Sequence, residues 1–286
     1  SMNKSDFIIT STLQEIIGTE DTMGQYESYQ FFSLPQLYQV VSGINLFAPK
    51  FNVIPPGVDE ELYYPYFEHE KRIQNKRKQW EGRLFTDESD DIFGKLDNPD
   101  KPPIFTMARF DKIKNITGLI HAFGMSKKLQ HAFNLLFAAG TIHVEKSGDI
   151  EERNEITKAY DLIERFNLHG KVRWLPSINK LDTGEVYRII ADRKGIFVQP
   201  ALFEAFGLTI IEAMATGLPT FAPKFGGPLE IIEYGKSGFL MNTSKPELIG
   251  ASLEEFADNY QKNGDLWKSI SENGIERVQK HFNWKT

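Results

Sequence analysis

Short apolar stretches alternate with longer amphipathic stretches from residue 103 onward. The apolar stretches have the length and composition of buried strands, and in chain order they are PIFTMA, FNLLFAAG, KVRWLP, GIFVQ and PTFAP. Between and after them, apolar residues recur at helical spacing over residues 115–129, 150–167, 183–192, 207–216 and 227–234. Five strands that alternate with helices predict an α/β fold, a doubly wound parallel sheet with right-handed crossovers.

The two ends of the chain follow different patterns. Near the start, SDFIITST predicts a strand, which is followed by the polar loop GTEDTMGQYESY. FNVIPPGVD predicts a strand that ends in a rigid turn, because two prolines block a helix and the glycine allows a bend. At the other end, the segment from Lys245 to Phe282 predicts a helical tail that covers the sheet.

Residues 66–103 are more charged than the rest of the chain. FEHEKRIQNKRKQWEGRLF predicts an exposed helix, and the acidic DESDDIFGKLDNPDKPP predicts a mobile loop. One cluster of basic residues raises the alternative of a phosphate or nucleic-acid site: Lys71, Arg72, Lys76, Arg77 and Lys78. Interleaved glutamates and the overall acidity favour a solvated helix face instead.

Composition limits the function classes. At 41% hydrophobic residues the chain can bury a large core, and a net charge of -6 argues against nucleic acid and anionic membrane surfaces as partners. No apolar run approaches the ~20 residues of a membrane span. The absence of cysteine excludes disulfides and thiolate zinc sites. The histidines have no metal-ligand spacing and no DxD pair is placed for a divalent cation, so we expect neither metal nor cofactor.

Two glutamates stand eight positions apart in QPALFEAFGLTIIEAM. Glu204 falls in the loop after a predicted strand, and Glu212 falls about one turn into the next helix, so both can face the crevice above the strand ends. Carboxylates accept hydrogen bonds from paired hydroxyls, which sugars and riboses present. The alternative for Glu212 is that it only solvates the first helical turn, where the helix dipole favours an acidic residue.

Two cations follow the first strand of the alternating region, in TMARFDKIKN. Arg109 and Lys114 lie just before a predicted helix, and two cations beside a helix N-terminus suit a diphosphate. No GxxxxGK[ST] occurs, so this is not a P-loop. Gly140 in FAAGT and the glycine pair in KFGGPLEII would allow close approach to a ligand, although for the pair a packing turn is an equal alternative.

The glutamate element resembles the E-x7-E element of retaining glycosyltransferases with two Rossmann domains, the GT-B type. It is most similar to that of sucrose synthases, and four other stretches match that family in order and spacing: GQYES, FTMARFDKIKN, YDLIERFNL and FGGPLEIIEYGKSGF. The resemblance implies a C-terminal, Rossmann-like half of such an enzyme. Residues 1–52 would be the remnant of the acceptor-side domain, 53–275 the nucleotide-sugar-binding domain, and 276–286 the start of the helix crossing back.

The resemblance also implies roles for individual residues. Arg109 and Lys114 would stabilise the diphosphate, and Glu204 would bind the glucosyl hydroxyls, as the catalytic residues. The substrate-binding residues would be Glu212 at the ribose, Ser177 and Gly140 near the nucleotide, and the amides at the helix start, which belong to Phe206, Gly207, Leu208 and Thr209.

The implied activity is reversible, retaining transfer of glucose between sucrose and a nucleoside diphosphate. The expected partners are ADP or UDP and its glucose conjugate, with sucrose and fructose in a cytoplasmic, homo-oligomeric full-length enzyme. Two alternatives stay open, a non-catalytic sugar-nucleotide binding module and a transferase like sucrose phosphate synthase. A two-carboxylate glycosidase is set aside because the glutamates accompany a cationic diphosphate site.

The base-binding segment departs from the family pattern. In RWLPSINKLDTGE, Ser177 is kept, but Ile178 stands where plant-type enzymes have the Gln that binds uracil, and Thr183 stands at the position of their Asn. We therefore expect relaxed selectivity or a preference for ADP over UDP. The alternative is that Asn179 turns inward and replaces the missing Gln.

Overall fold

The computed structural model describes Ile8–Thr10, Leu37–Gln39 and residues 58–282. The strands are β1 (Ile8–Thr10), β2 (Leu37–Gln39), β3 (Pro103–Met107), β4 (Asn134–Ala138), β5 (Val172–Leu175), β6 (Ile196–Val198), β7 (Thr220–Pro223) and β8 (Phe239–Met241). The α-helices are α1 (Gln74–Phe85), α2 (Ile116–Met125), α3 (Lys127–Ala132), α4 (Ile150–Arg165), α5 (Lys180–Asp192), α6 (Leu208–Ala215), α7 (Pro228–Ile231), α8 (Pro246–Lys262) and α9 (Leu266–His281).

Six parallel strands form the main sheet in the order β5-β4-β3-β6-β7-β8. The chain builds one side from β3 outward to β5, then returns to the centre and builds the other side from β6 outward to β8. β3 and β6 are therefore neighbours at the point where the strand order reverses, and a crevice opens there above their carboxyl ends. The predicted doubly wound α/β fold is confirmed.

The central strands are buried except at Met107, the last residue of β3, as expected of strands that helices cover on both faces. Aromatic rings fill the layer beneath the crevice, where Phe105 of β3 and Phe197 of β6 pack against each other and against Tyr187 of α5. Within the described part of the chain, no helix has both the length and the apolar character needed to cross a membrane.

The main sheet and the C-terminal helical segment each differ from the predictions in one feature. A sixth strand, β8, lies at the sheet edge, and its apolar run of three residues is too short to predict a strand from sequence. The predicted helical tail is two helices, because the Asn263 side chain accepts a hydrogen bond from the Asp265 amide at 3.1 Å and forms a turn there. The second of these helices, α9, continues to His281.

The first part of the chain is described only at two strands. The strand predicted in SDFIITST is confirmed at Ile8–Thr10, and it pairs in parallel with Leu37–Gln39, which was not predicted. GQYES and residues 51–57, with their predicted strand and turn, lie outside the described residues.

The interpretation of residues 66–103 was partly wrong. α1 is not an exposed helix throughout, because Trp80, Leu84 and Phe85 are buried. Arg72 in the basic cluster is only 5% exposed and forms ion pairs with Glu185 and Asp192 of α5, each at 2.7 Å. This cation is neither solvated nor available to an outside phosphate.

The predicted mobile loop is packed along the edge of β5. Phe93 exchanges two backbone hydrogen bonds of 2.9 Å with Trp174, and the buried guanidinium of Arg173 donates to the carbonyls of Arg83 and Gly94 at 2.8 Å. These contacts are long-range, and a charge pattern does not reveal them.

Candidate functional site

The crevice at the strand-order reversal is walled by two loops, 108–115 after β3 and 199–207 after β6. The Leu202 amide donates to the Ile113 carbonyl at 2.8 Å and joins the loops. Asn115, in a left-handed conformation at φ 54°, donates from its side chain to the Pro200 carbonyl at 3.0 Å and the Thr243 carbonyl at 3.2 Å. Asparagine tolerates this conformation better than most residues. The crevice walls are thus fixed by hydrogen bonds between distant segments.

Lys114 and Glu204 meet across this crevice. The Lys114 Nζ lies 2.6 Å from Glu204 Oε2, and the two side chains are 20% and 14% exposed. Arg109 stands at the mouth, 82% exposed, with Nη2 3.1 Å from Asp111 Oδ2. Asp111 also accepts a hydrogen bond from the Lys114 amide at 2.8 Å, so one carboxylate orders both cation-bearing residues.

The glycine pair after β7 positions Glu204. The Glu204 carbonyl accepts a hydrogen bond from the Gly227 amide at 2.8 Å, and its amide donates to the Phe225 carbonyl at 3.3 Å. Gly226 has φ 95°, and a Cβ there would lie 2.0 Å from the Glu204 carbonyl oxygen. Only glycine fits this close approach. The packing turn, which was the alternative to a ligand contact, is therefore sufficient to explain why residue 226 is glycine.

The start of α6 supplies backbone donors to the same crevice. Gly207 has φ 109°, and its carbonyl accepts from the amides of Ile210 and Ile211 at 3.0 and 3.2 Å. The amides of Leu208 and Thr209 belong to the first turn, whose N–H groups have no partner within a helix. Phe206 packs against the core beside them.

A buried glutamine lies behind this helix start. Gln199, at the end of β6, donates from Nε2 to the Thr209 hydroxyl at 3.2 Å. Its Oε1 is buried and has no hydrogen-bond partner within the described residues. The contact holds the Thr209 side chain against the strand end.

Glu212 has different surroundings from Glu204. It lies half-buried on α6, next to the Tyr63 hydroxyl and facing Lys180 at the start of α5. Burial raises the pKa of its carboxyl to about 7, while a hydrogen bond from Tyr63 and the charge of Lys180 lower it. The structure therefore does not support the alternative of a carboxylate that only solvates the first helical turn.

Tyr63 was missed by sequence reasoning. It belongs to LYYPY, an aromatic cluster shortly after the predicted rigid turn, and this density of aromatic rings was the available signal. Its hydroxyl lies 2.7 Å from the Thr183 hydroxyl, and both residues are buried.

Ser177 and Gly140 are brought together at the ends of β5 and β4, where the Ser177 amide donates to the Gly140 carbonyl at 3.1 Å. Gly140 has φ 47°, and a Cβ there would lie 2.0 Å from Glu152 Oε1, so its close neighbour in this structure is a side chain of α4.

Ile178 is half-buried against the core. Asn179 is exposed and caps α5, accepting a hydrogen bond from the Leu181 amide at 3.0 Å, so it does not turn inward.

Two family profiles match the sequence. One, described as sucrose synthase first GT-B domain, matches residues 1–85, and the other, described as glycosyl transferases group 1, matches residues 87–277. The sucrose synthase of Thermosynechococcus vestitus is 53% identical over 100% of the chain, and sucrose synthase 2 of Pisum sativum is 47% identical over 100% of it. The chain spans 36% of the length of each relative. The resemblance to sucrose synthases is confirmed.

Solved structures share the fold. Sucrose-phosphate synthase from Thermosynechococcus elongatus has a TM-score of 0.66 at 22% identity, over 99% of this chain and 56% of that one. Anabaena HepE in complex with UDP and glucose has a TM-score of 0.66 at 15% identity, with coverage of 99% and 61%. The catalytic domain of starch synthase IV from Arabidopsis thaliana, bound to ADP and acarbose, has 0.61 at 19%, with coverage of 98% and 53%.

Proposed function

This chain belongs to the group 1 glycosyl transferases, and we propose that it forms the nucleotide-sugar-binding part of a sucrose synthase. The reaction would be reversible transfer of glucose between sucrose and a nucleoside diphosphate, with retention at the anomeric carbon. The observation that carries the proposal is the Lys114–Glu204 pair, set in the crevice at the strand-order reversal beside the first turn of α6.

The diphosphate would take the place of Glu204 at the Lys114 ammonium. Phosphate oxygens carry more charge than one carboxylate, and Arg109 is exposed enough to turn from Asp111 and grip them in fork geometry. When the bond between the anomeric carbon and the diphosphate oxygen breaks, negative charge grows on that oxygen. Lys114, Arg109 and the first amides of α6 would stabilise it, which is where most of the rate gain in such transfers arises.

Glu204, released from Lys114, would accept hydrogen bonds from the glucosyl hydroxyls. Its main chain is held by Gly227 and Phe225, so the loop does not have to move for the side chain to turn. Gly207, Leu208 and Thr209 would present backbone amides to the sugar and the phosphate, with Phe206 closing the side of the crevice.

The nucleoside would lie toward Glu212, whose ionised carboxyl would accept hydrogen bonds from the ribose hydroxyls. Ser177 and Gly140 would border the base. Ile178 offers an apolar surface, and Asn179 is engaged as a helix cap, so no side-chain amide of this segment is left for uracil. We infer ADP as the preferred nucleotide. Structures of this fold contain UDP in one case and ADP in another, so the fold accepts both bases.

The remaining parts of the activity would require regions of the kind that the matched relatives have beyond the 36% of their length that this chain spans. Residues 1–52 would contribute the end of the acceptor-side domain, where sucrose and fructose bind, residues 53–275 would form the nucleotide-sugar domain, and residues 276–286 would begin the return crossing. A cytoplasmic homo-oligomer is proposed for the full-length enzyme by its resemblance to the family.

Calorimetric titration of the 286-residue chain tests the proposal. ADP and ADP-glucose should bind, adenosine should bind weakly, and sucrose with ADP should yield no ADP-glucose, because one domain cannot enclose the reacting atoms. Turnover by this chain would mean that the acceptor site is misplaced. Absence of ADP binding would contradict the proposal.

A non-catalytic sugar-nucleotide binding module is the second candidate. Both candidates predict nucleotide binding, and only glucose transfer in a complete enzyme separates them.

A further inference from the structure

Gln199 is a buried polar residue at the floor of the crevice. It directly follows the last residue of β6 and is only 1% exposed. Its backbone amide donates to the Phe221 carbonyl of β7 at 2.8 Å, and its side-chain Nε2 donates to the Thr209 hydroxyl at 3.2 Å. The sheet therefore fixes the root of this side chain, and the amide group at its end lies against the first turn of α6.

The Thr209 hydroxyl has a proton that no described residue accepts. A hydroxyl has one proton and two acceptor lone pairs, so accepting from Gln199 leaves its proton free. Thr157 of α4 and Thr183 of α5 instead donate to backbone carbonyls of the preceding turn, at 3.0 and 2.8 Å. Thr209 makes no such bond within the part of the chain that the structure describes. Its proton can therefore be donated to a ligand.

The position of Thr209 suits an anionic acceptor. Thr209 is the second residue of α6, where backbone N–H groups have no helical partner and the helix dipole favours negative charge. Phosphate oxygens accept hydrogen bonds both from such amides and from Ser or Thr hydroxyls. Lys114 faces the same crevice, with its ammonium 2.6 Å from Glu204. The hydroxyl would thus add a neutral donor to the cations of the proposed diphosphate site.

The side-chain amide of Gln199 is incompletely satisfied. Its Oε1 is buried and has no hydrogen-bond partner among the residues that the structure describes. If the amide turned over, Oε1 would accept the Thr209 proton and Nε2 would lose its acceptor, so either orientation leaves one buried polar group unpartnered. An apolar side chain would fill this space without that cost. An anion at the Thr209 hydroxyl favours the orientation in which Gln199 donates, because only then is the hydroxyl proton available.

Resting on the proposed function, we propose that Gln199 is a positioning residue for the diphosphate. Its amide holds the Thr209 hydroxyl with the oxygen toward β6 and the proton toward the crevice, where a phosphate oxygen accepts it. Gln199 acts through Thr209 and touches neither the phosphates nor the transferred sugar.

A double-mutant cycle with inorganic pyrophosphate as the ligand tests this role. Thr209→Val removes the hydroxyl and keeps the shape, so pyrophosphate should bind about 10-fold more weakly. Gln199→Met removes the donor and keeps the length, and the loss should be about 3-fold, because the hydroxyl is present but no longer oriented. In the double variant the loss should stay at about 10-fold and not reach the product of about 30-fold, because Gln199 acts only through Thr209.

Thr157→Val is the matched control, because the Thr157 hydroxyl is engaged within α4 and its loss should leave pyrophosphate affinity unchanged. Unchanged pyrophosphate affinity in Gln199→Met, or a double variant that loses about 30-fold, would overturn the proposal. These results would leave the proposed function intact. A wild-type chain that binds neither ADP nor pyrophosphate would instead contradict both.

NMR of the Gln199 side-chain amide keeps the test valid if Gln199→Met does not fold. Saturation with pyrophosphate should move this signal in the wild type, because the phosphate polarises the Thr209 hydroxyl to which Nε2 donates. In Thr209→Val the signal should move much less. A signal that moves equally in both proteins would show that Gln199 does not act through Thr209, and this would overturn the proposal.

Discussion

The two glutamates of one short motif have opposite surroundings. Glu204 is held by a cation, with its carboxylate 2.6 Å from the Lys114 ammonium. Glu212 lies half-buried beside the Tyr63 hydroxyl, and burial raises its pKa to about 7. The first arrangement suits exchange of one anion for another, and the second suits neutral hydroxyl groups. Under the proposed function, the site would therefore be divided into a phosphate end at Lys114 and Glu204 and a nucleoside end at Glu212.

Lys114→Ala removes the ammonium group proposed to bind the diphosphate, and it should change ligand affinity more than the other substitutions. Diphosphate binding should weaken by about 1.5 to 3 kcal/mol, the range for hydrogen bonds to charged groups. Arg109→Ala should fall at the low end of that range, because this side chain is 82% exposed and screened by water. Calorimetric titration with ADP and with adenosine measures this effect. Equal losses of affinity for both ligands would show that Lys114 does not act on the diphosphate.

Glu212→Gln tests the surroundings of Glu212 through the pH dependence of the free energy of unfolding. The folded-state pKa of about 7 lies above the usual value of 4.5, so the folded chain binds more protons between these values. Stability therefore decreases as pH rises from about 4.5 through 7. Glutamine removes this loss and should stabilise the fold above pH 7 by about 1 to 3 kcal/mol.

Urea unfolding of wild type and Glu212→Gln near pH 5 and near pH 8 measures that effect. The two proteins should differ little near pH 5, where Glu212 of the folded chain is protonated and resembles glutamine, and differ most near pH 8. A difference of equal size at both pH values would show that burial does not control this carboxyl.

Glu204→Gln should strengthen phosphate binding, whereas Lys114→Ala should weaken it. Without the competing carboxylate, Lys114 is available to pyrophosphate, whose affinity should rise by about 0.5 to 1.5 kcal/mol. Weaker pyrophosphate binding in this variant would mean that the ion pair orders Lys114 for its ligand and does not compete with it.

Ile178→Gln addresses the nucleoside end and should have the smallest effect. Restoring an amide at this position should move the ADP/UDP preference toward UDP by about 0.5 to 1 kcal/mol. Asn179→Ala is the control, because loss of the α5 cap lowers stability without changing the base preference. A tenfold preference of the wild type for UDP would contradict the inference drawn from Ile178.

Local sequence patterns predicted the central strands and the loops that follow them. The central strands follow from apolar runs buried on both faces, and the loops that carry Lys114 and Glu204 follow from their positions after those strands. The cap formed by Asn179 was not predicted, because the helix was expected to begin at residue 183, although asparagine before a helical stretch is a frequent N-cap.

Long-range partners could not be predicted in the same way. Nothing near Arg72 indicates that Glu185 and Asp192 neutralise it, and a buried ion pair and a solvated cation have the same local sequence. Tyr63 likewise meets Thr183 only because the sheet brings their segments together. The pairing of Lys114 with Glu204 depends on the strand-order reversal, which places the loops after β3 and β6 side by side.

The most direct test of the account is a chimeric enzyme. The 287 aligned positions of Thermosynechococcus vestitus sucrose synthase would be replaced by this chain, and ADP-dependent cleavage of sucrose would be measured. The account predicts an active chimera whose turnover falls about 10²- to 10³-fold on Lys114→Ala. A chimera that folds and binds ADP but does not cleave sucrose would contradict it and identify the chain as a binding module.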